Sequence, residues 1–104
     1  MSNCKLLFIL STFLCFSLQA QQRNIKLNGI VVDVNNETIP YAAVGIISKS
    51  IGTATTEDGT FSLLISRNEL NDILEVSSLG FETFKIKVQD FLNSSDKKII
   101  IKEA

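Results

Sequence analysis

The amino-acid sequence predicts an all-β fold, a seven-stranded antiparallel β-sandwich. Short β-prone runs recur about every ten residues with turn residues between them, which is typical of sandwiches. No amphipathic helical pattern of useful length interrupts them. In the stretch 52–61, Asp58 and Gly59 separate two β-prone runs. Because Gly adopts positive φ without steric cost, this pair predicts a tight turn, and we expect a central hairpin between the third and fourth strands.

Each predicted strand is rich in β-branched or aromatic residues and is bounded by turn residues. In the fourth strand Phe61 is the predicted core anchor, and in the sixth Phe84, Ile86 and Val88 are predicted to face inward. Pro40 cannot donate a backbone hydrogen bond, so it belongs at the start of the second strand or on a sheet edge. The predicted strands are residues 26–34, 42–47, 51–56, 60–65, 73–77, 81–88 and 98–102.

Three connections between the strands carry further signals. Ser66 and Glu69 have the spacing of a capping box, which predicts a single helical turn within residues 66–72. The connection 89–96 is polar, and we expect Phe91 and Leu92 within it to dock onto the core. The lysines that flank the last strand, Lys98 and Lys102, are predicted to protect a sheet edge from aggregation.

The N-terminus has the pattern of an export signal. Lys5 precedes an apolar run over residues 6–18, and Ala20 provides a cleavage site. The run is about 13 residues long, whereas a membrane-spanning helix needs roughly 20, so a membrane anchor is the weaker alternative. A lipoprotein would use Cys15, but Thr12-Phe13-Leu14 lacks the small residues expected before such a cysteine. We therefore predict a cleaved signal peptide over residues 1–20 and one domain over residues 21–104.

The remaining composition excludes several kinds of chemistry. The chain has no His, and its two Cys, Cys4 and Cys15, both lie in the predicted signal peptide. Nucleophile–base pairs built on His or Cys and ordinary zinc sites are thereby excluded from the mature domain. The charges are scattered and the net charge of the chain is −1. Without Trp, and without aromatic residues among basic ones, the sequence gives no support to nucleic-acid binding.

The acidic residues are better explained by structure than by catalysis. Glu57 and Asp58 lie together in the predicted turn, where nothing sets them apart as an acid and a base. The turn lacks the alternating oxygen ligands of a calcium loop, which leaves only a weak surface cation as an alternative. Asp33 is predicted to cap the following Asn-rich turn through backbone N–H groups, with a ligand role as the alternative.

The lysines are also explained as solvated residues. Lys85 and Lys87 alternate along the sixth strand, as expected for its solvent-exposed face. Lys97 and Lys98 are likewise interpreted as solvent-exposed lysines. We assign no catalytic, cofactor-binding or metal-binding residue and expect no cofactor.

Four groups of residues, taken in order, resemble the carboxypeptidase regulatory-like domain, a transthyretin-like β-sandwich found in exported proteins of Gram-negative bacteria. They cover nearly all of the predicted domain and consist of Leu27-x-Gly29-x-Val31-x-Asp33, Ile39-Pro40-Tyr41-Ala42-x-Val44, Gly52-Thr53-x-Thr55-x-x-Asp58-Gly59-x-Phe61, and Leu74-x-Val76-Ser77-x-Leu79-Gly80-Phe81-Glu82-Thr83.

The resemblance implies a non-catalytic module, with no catalytic residue to transfer. We therefore expect an exported sandwich in the periplasm or at the outer membrane that binds an envelope protein or a glycan, with no nucleic-acid partner and no membrane span after signal cleavage. Such domains also occur as N-terminal extensions of TonB-dependent outer-membrane receptors. The alternative is thus a detached or truncated receptor extension.

Overall fold

The computed structural model describes residues 24–104, which form two packed β-sheets. One sheet has the strand order β4-β1-β7 and the other the order β3-β2-β5-β6, so the predicted seven-stranded sandwich is confirmed. The predicted signal peptide lies outside the described residues. The strands are β1 (Asn24–Val32), β2 (Ala43–Ile46), β3 (Ile51–Ala54), β4 (Thr60–Ser66), β5 (Ile73–Ser77), β6 (Phe84–Lys87) and β7 (Lys98–Ile100).

The strand pairs are antiparallel with one exception. β1 pairs with β4 in antiparallel register from Asn24 opposite Ser66 to Ile30 opposite Thr60. β7 lies parallel to β1 on its other side, with Val31 opposite Ile99. In the second sheet β2 is antiparallel to both β3 and β5, and β5 is antiparallel to β6. The predicted last strand is therefore an edge strand, and it is the parallel one.

The core lies between the two sheets and is built from alternate residues of the strands. β4 shows the alternation most clearly, because Phe61, Leu63 and Ile65 are buried while Ser62 and Leu64 are exposed. Phe61 packs against Phe91 with 5.8 Å between the ring centroids. The predicted anchor in β4 and the predicted docking of Phe91 are thus both confirmed.

The connection between β3 and β4 corrects one prediction. Its turn forms as predicted, with Gly59 at φ +79° and the Gly59 N–H donating to the Thr56 carbonyl over 3.0 Å. The two strands, however, belong to different sheets, so the expected central hairpin is wrong. The Thr55 N–H donates to the Ala42 carbonyl on the β2 side, whereas the Gly59 carbonyl accepts from Val31 of β1. The turn therefore carries the chain across the sandwich.

Several predicted boundaries also shift. β1 begins at Asn24, two residues before the predicted start, and ends at Val32. β6 begins at Phe84, because Phe81 makes only an isolated bridge to Glu103 near the C-terminus. β6 ends at Lys87, and Val88, predicted as the last inward-facing residue of that strand, instead begins a short helix, α1 (Val88–Asn93), which extends into the predicted polar connection. Val88 and Phe91 of α1 are buried. The sequence pattern over so few residues does not distinguish such a helix from a loop.

Candidate functional site

The strand directions gather four segments at one end of the sandwich, called here the loop end. β1, β3, β5 and β7 all finish at this end, because β7 is parallel to β1 and the β3–β4 turn starts there. The loop end consists of residues 33–42, 55–59, 78–83 and 101–104. Loops positioned by a rigid sandwich are where binding residues are most often found.

Asp33 organises the first of these loops. Its Oδ1 accepts a hydrogen bond from the Asn35 N–H at 2.8 Å and another from the Glu37 N–H at 2.9 Å. Asn36, at φ +66°, occupies the left-handed conformation that Asn tolerates, and its Oδ1 accepts from the Lys98 ammonium at 2.9 Å. The prediction that Asp33 caps the turn is confirmed, because both groups that donate hydrogen bonds to its carboxylate are backbone N–H groups.

Thr55 links the first loop to the β3–β4 turn. It is 2% exposed, and its hydroxyl donates to the Ile39 carbonyl at 2.7 Å while accepting from the Ala42 N–H at 2.8 Å. The sequence alone indicates no separate role for Thr55. Its only signal is its place in the family-like motif, because nothing in its local pattern distinguishes it from Thr53 or Thr56.

Tyr41 is held at the surface in an unusual conformation. Its φ is +58°, which is uncommon for a bulky residue, and its N–H donates to the Thr55 carbonyl at 3.1 Å. The side chain is 68% exposed, and its hydroxyl donates weakly to Glu57 Oε1 at 3.4 Å. The hydrogen bond to Thr55 thus holds the backbone of Tyr41, while its ring stays exposed to solvent. Backbone strain of the kind seen at Tyr41 is concentrated at functional sites, so Tyr41 is a candidate binding residue.

Exposed apolar side chains accompany Tyr41 at the loop end. Val34 is 63% exposed and Leu79 is 101% exposed. They stand on different loops, one after β1 and the other after β5. Single exposed apolar residues are common on protein surfaces, but here Val34 and Tyr41 on one loop and Leu79 on another expose three apolar side chains at the same end of the sandwich.

The charges at the loop end are mainly negative. Two lysines, Lys98 and Lys102, reach this end, and Lys98 is already bonded to Asn36. Six carboxylate residues belong to it: Asp33, Glu37, Glu57, Asp58, Glu82 and Glu103. Charges of one sign around an exposed apolar centre favour complementary partners and disfavour others.

The carboxylates of the described residues do not cluster in a way that could hold a metal ion. Glu57 and Asp58 are exposed turn residues, as predicted, and the only side-chain bond of Glu57 within the described residues is the one from Tyr41. Across residues 24–104 there is no group of three or more Cys, His, Asp or Glu side chains that could hold a metal ion. The described carboxylates therefore form no cation cage.

The predicted solvent-facing lysines divide into two kinds. Lys85 is exposed on β6 and forms a 3.5 Å salt bridge with Glu75, while Lys87 is exposed on the same face, as predicted. Lys97 corrects the prediction, because it is half-buried. Its ammonium donates to the Leu92 carbonyl at 2.8 Å and to the Ser94 carbonyl, and it lies 6.0 Å from the Phe91 ring centroid. Lys97 thus closes the C-terminal end of α1 rather than facing water.

Two shallow concavities lie on the described part of the sandwich, and the second of them includes Glu82 of the loop end. One, of about 250 Å³, lies on the outer face of β2 and β3 and is lined by small residues that include Gly45 and Gly52. The other, of about 310 Å³, lies between β6 and β7 and is lined by residues that include Phe84 and Ile100. Both volumes are close to the lower limit of typical small-molecule pockets.

Comparison with known families agrees with this geometry. Residues 27–104 match the family model of the CarboxypepD_reg-like domain. The chain belongs to the CarboxypepD_reg-like family. Domains of this family are generally non-catalytic immunoglobulin-like modules, as the sequence resemblance implied. Searches of curated proteins and of solved structures returned no match. Within the described range, no helix has the length and apolar character needed to cross a membrane.

Proposed function

We propose that this CarboxypepD_reg-like chain is an exported, non-catalytic module that binds a protein or a glycan of the bacterial cell envelope through its loop end. The observation that carries the proposal is the exposure of Val34, Tyr41 and Leu79 at the loop end, where the buried hydroxyl of Thr55 fixes the backbone next to Tyr41. A surface that is ordered before binding loses less conformational entropy when a partner docks.

Export rests on the N-terminal pattern. The apolar run over residues 6–18 and the site after Ala20 support cleavage by a signal peptidase and delivery to the periplasm or the outer membrane. Mass spectrometry of the chain recovered from the envelope fraction tests this part. A mature N-terminus at Gln21 supports the proposal, and an intact chain in the cytoplasm contradicts it.

The binding role is tested by cross-linking inside the cell. A photo-reactive residue replaces Leu79 at the loop end, and a matched one replaces Ile47, which is 69% exposed at the opposite end. Treatment of the cross-linked product with proteases or with glycosidases shows which class of partner has been captured. Hydrolytic activity that copurifies with the chain and is lost in loop-end variants would instead support an enzyme.

The second candidate is the N-terminal extension of a TonB-dependent receptor. The family membership over residues 27–104 supports it, because such extensions are a common setting for this kind of domain. Reading the DNA that follows the Ala104 codon discriminates the two candidates. A plug-and-barrel reading frame supports the receptor, whereas an unrelated gene supports the separate module.

A further inference from the structure

The edge strands of the sandwich differ in how well they are protected against pairing with another strand. β6 carries Lys85 and Lys87, and β7 is three residues long and begins with Lys98. β3 is four residues long and contains Gly52. β4 is seven residues long, uncharged and free of proline. Charges, prolines and short length are the usual protections of an edge, and β4 has none of them.

The outward backbone groups of β4 can be assigned from its neighbours. The Thr60 carbonyl accepts a hydrogen bond from the Thr56 N–H, and the Ser66 N–H donates one to the Glu69 carboxylate. Both groups therefore point away from β1. Residues along an antiparallel strand alternate between pointing toward and away from their partner. The N–H and C=O groups of Ser62 and Leu64 therefore also point away from β1. Within the described residues nothing bonds to these four groups.

We propose that β4 pairs with β4 of a second copy of this chain, antiparallel and about a two-fold axis at Leu63. In this register Ser62 of one copy lies opposite Leu64 of the other, and each such pair exchanges two backbone hydrogen bonds. All four free groups on each copy are thereby satisfied. The two three-stranded sheets become one continuous sheet of six strands, with a self-complementary interface of the kind that two-fold dimers use.

The side chains fit the same register. Leu64 is 59% exposed on the outer face of the sheet, and its partner in the second copy is the small Ser62. No like charges are opposed anywhere along the paired strands, because β4 carries none. Side chains directly opposite each other in an antiparallel pair contact one another, so the exposed Leu64 loses water contact on both copies.

Charges at the two ends of β4 are complementary under the two-fold axis. The acidic turn with Glu57 and Asp58 precedes β4, and Arg67 follows it. The axis at Leu63 places the turn of each copy beside Arg67 of the other. Arg67 is exposed and forms no salt bridge within the described part of the chain. These opposite charges favour a second copy over an unrelated strand as the occupant of the edge.

The first test measures how strongly the chain associates with itself, by sedimentation over a range of concentrations. The protein is the full chain in the form that its host cell produces after any cleavage of the signal peptide. Leu64→Lys is the test variant, and Ile100→Lys is the matched control on the opposite edge of the same sheet, where Ile100 is also exposed. We expect a reversible dimer whose Kd rises at least about tenfold in Leu64→Lys and stays within about threefold in Ile100→Lys. A chain that stays monomeric at about 200 µM, or two variants with the same Kd, overturns the proposal.

The second test measures the register. Ser62→Cys and Leu64→Cys chains are mixed and oxidised, and the joined peptides are mapped by mass spectrometry, which separates them from any that contain Cys4 or Cys15. The proposal expects peptides that join position 62 of one copy to position 64 of the other. Joined peptides at other positions, or capture of another protein's strand in place of a second copy, overturn it.

Discussion

Thr55 holds the loop end together, and its removal gives the sharpest test of how this end is built. In Thr55→Val the side chain keeps its shape but loses the hydroxyl that bonds the Ile39 carbonyl at 2.7 Å and the Ala42 N–H at 2.8 Å. Thr55 is 2% exposed, so water does not replace either bond without local opening. Val therefore leaves a buried donor and a buried acceptor without partners.

The expected loss of stability follows from the two backbone groups that Thr55→Val leaves without a hydrogen-bond partner. An unsatisfied buried backbone group costs about 1–3 kcal/mol, and the added methyl group of Val returns about 1 kcal/mol of apolar burial. The free energy of unfolding should fall by about 3 kcal/mol. For a domain of roughly this size, each kcal/mol corresponds to about 4–8 °C in the melting temperature, so a fall of about 12–24 °C is expected.

Two comparison variants make the Thr55 measurement specific. Thr53→Val changes a half-buried Thr whose side chain forms no hydrogen bond with the described residues, and it should alter the unfolding free energy by less than about 0.5 kcal/mol. Thr55→Ser keeps the hydroxyl and should retain most of the stability. Urea unfolding followed by circular dichroism measures all three. If Thr55→Val were no less stable than Thr53→Val, the hydroxyl would not be the link between the loops.

Two further predictions concern the same end of the molecule. Gly59→Ala should be less stable than Gly80→Ala: both glycines have positive φ, but a Cβ at Gly59 would lie 2.9 Å from the Val31 carbonyl oxygen, whereas at Gly80 it meets nothing within 4 Å. Thermal unfolding of the two variants decides this, and equal melting temperatures would contradict the tight packing of the turn. Asp33→Ala should lower the unfolding free energy by about 1 kcal/mol, because two backbone N–H groups lose their acceptor. Urea unfolding checks it against Glu37→Ala, whose side chain accepts no hydrogen bond in the described structure, and an equal loss in the two variants would count against the cap.

Local sequence signals predicted much of the fold correctly. β5 has the predicted boundaries, β4 has the predicted inward face, and the capping box at Ser66 forms with both of its hydrogen bonds. These features depend on side-chain alternation or on groups three residues apart. Such interactions are encoded within a few residues, so a single sequence is enough to reveal them.

The sheet membership of β3 and β4 could not be predicted in the same way. The Asp58-Gly59 signal correctly predicts a turn, but it does not say whether the flanking strands pair. That outcome depends on Val31 bonding to Gly59 and on Ala42 bonding to Thr55, which are partners distant in sequence. Non-local pairing of this kind overrides the usual association of Asp-Gly with a hairpin.

The candidate surface was only partly predictable for a similar reason. Asp33 was predicted as a cap because its partners lie within four residues. The positive φ of Tyr41 accompanies a hydrogen bond from its N–H to the carbonyl of Thr55, which lies fourteen positions further along the chain, so no local pattern indicates it. The sequence predicts a solvated Lys97 because its local pattern does not indicate the helix that Lys97 closes.

The most direct test of the binding role compares cross-linking from the two ends of the sandwich in the living cell. Photo-reactive residues at Val34 and Leu79 sample two loops of the loop end, and one at Ile47 samples the opposite end with similar exposure to Val34. The proposed function predicts that Val34 and Leu79 capture the same envelope partner and that Ile47 does not. Capture of that partner mainly from Ile47, or of different partners from Val34 and Leu79, would contradict a single docking surface at the loop end.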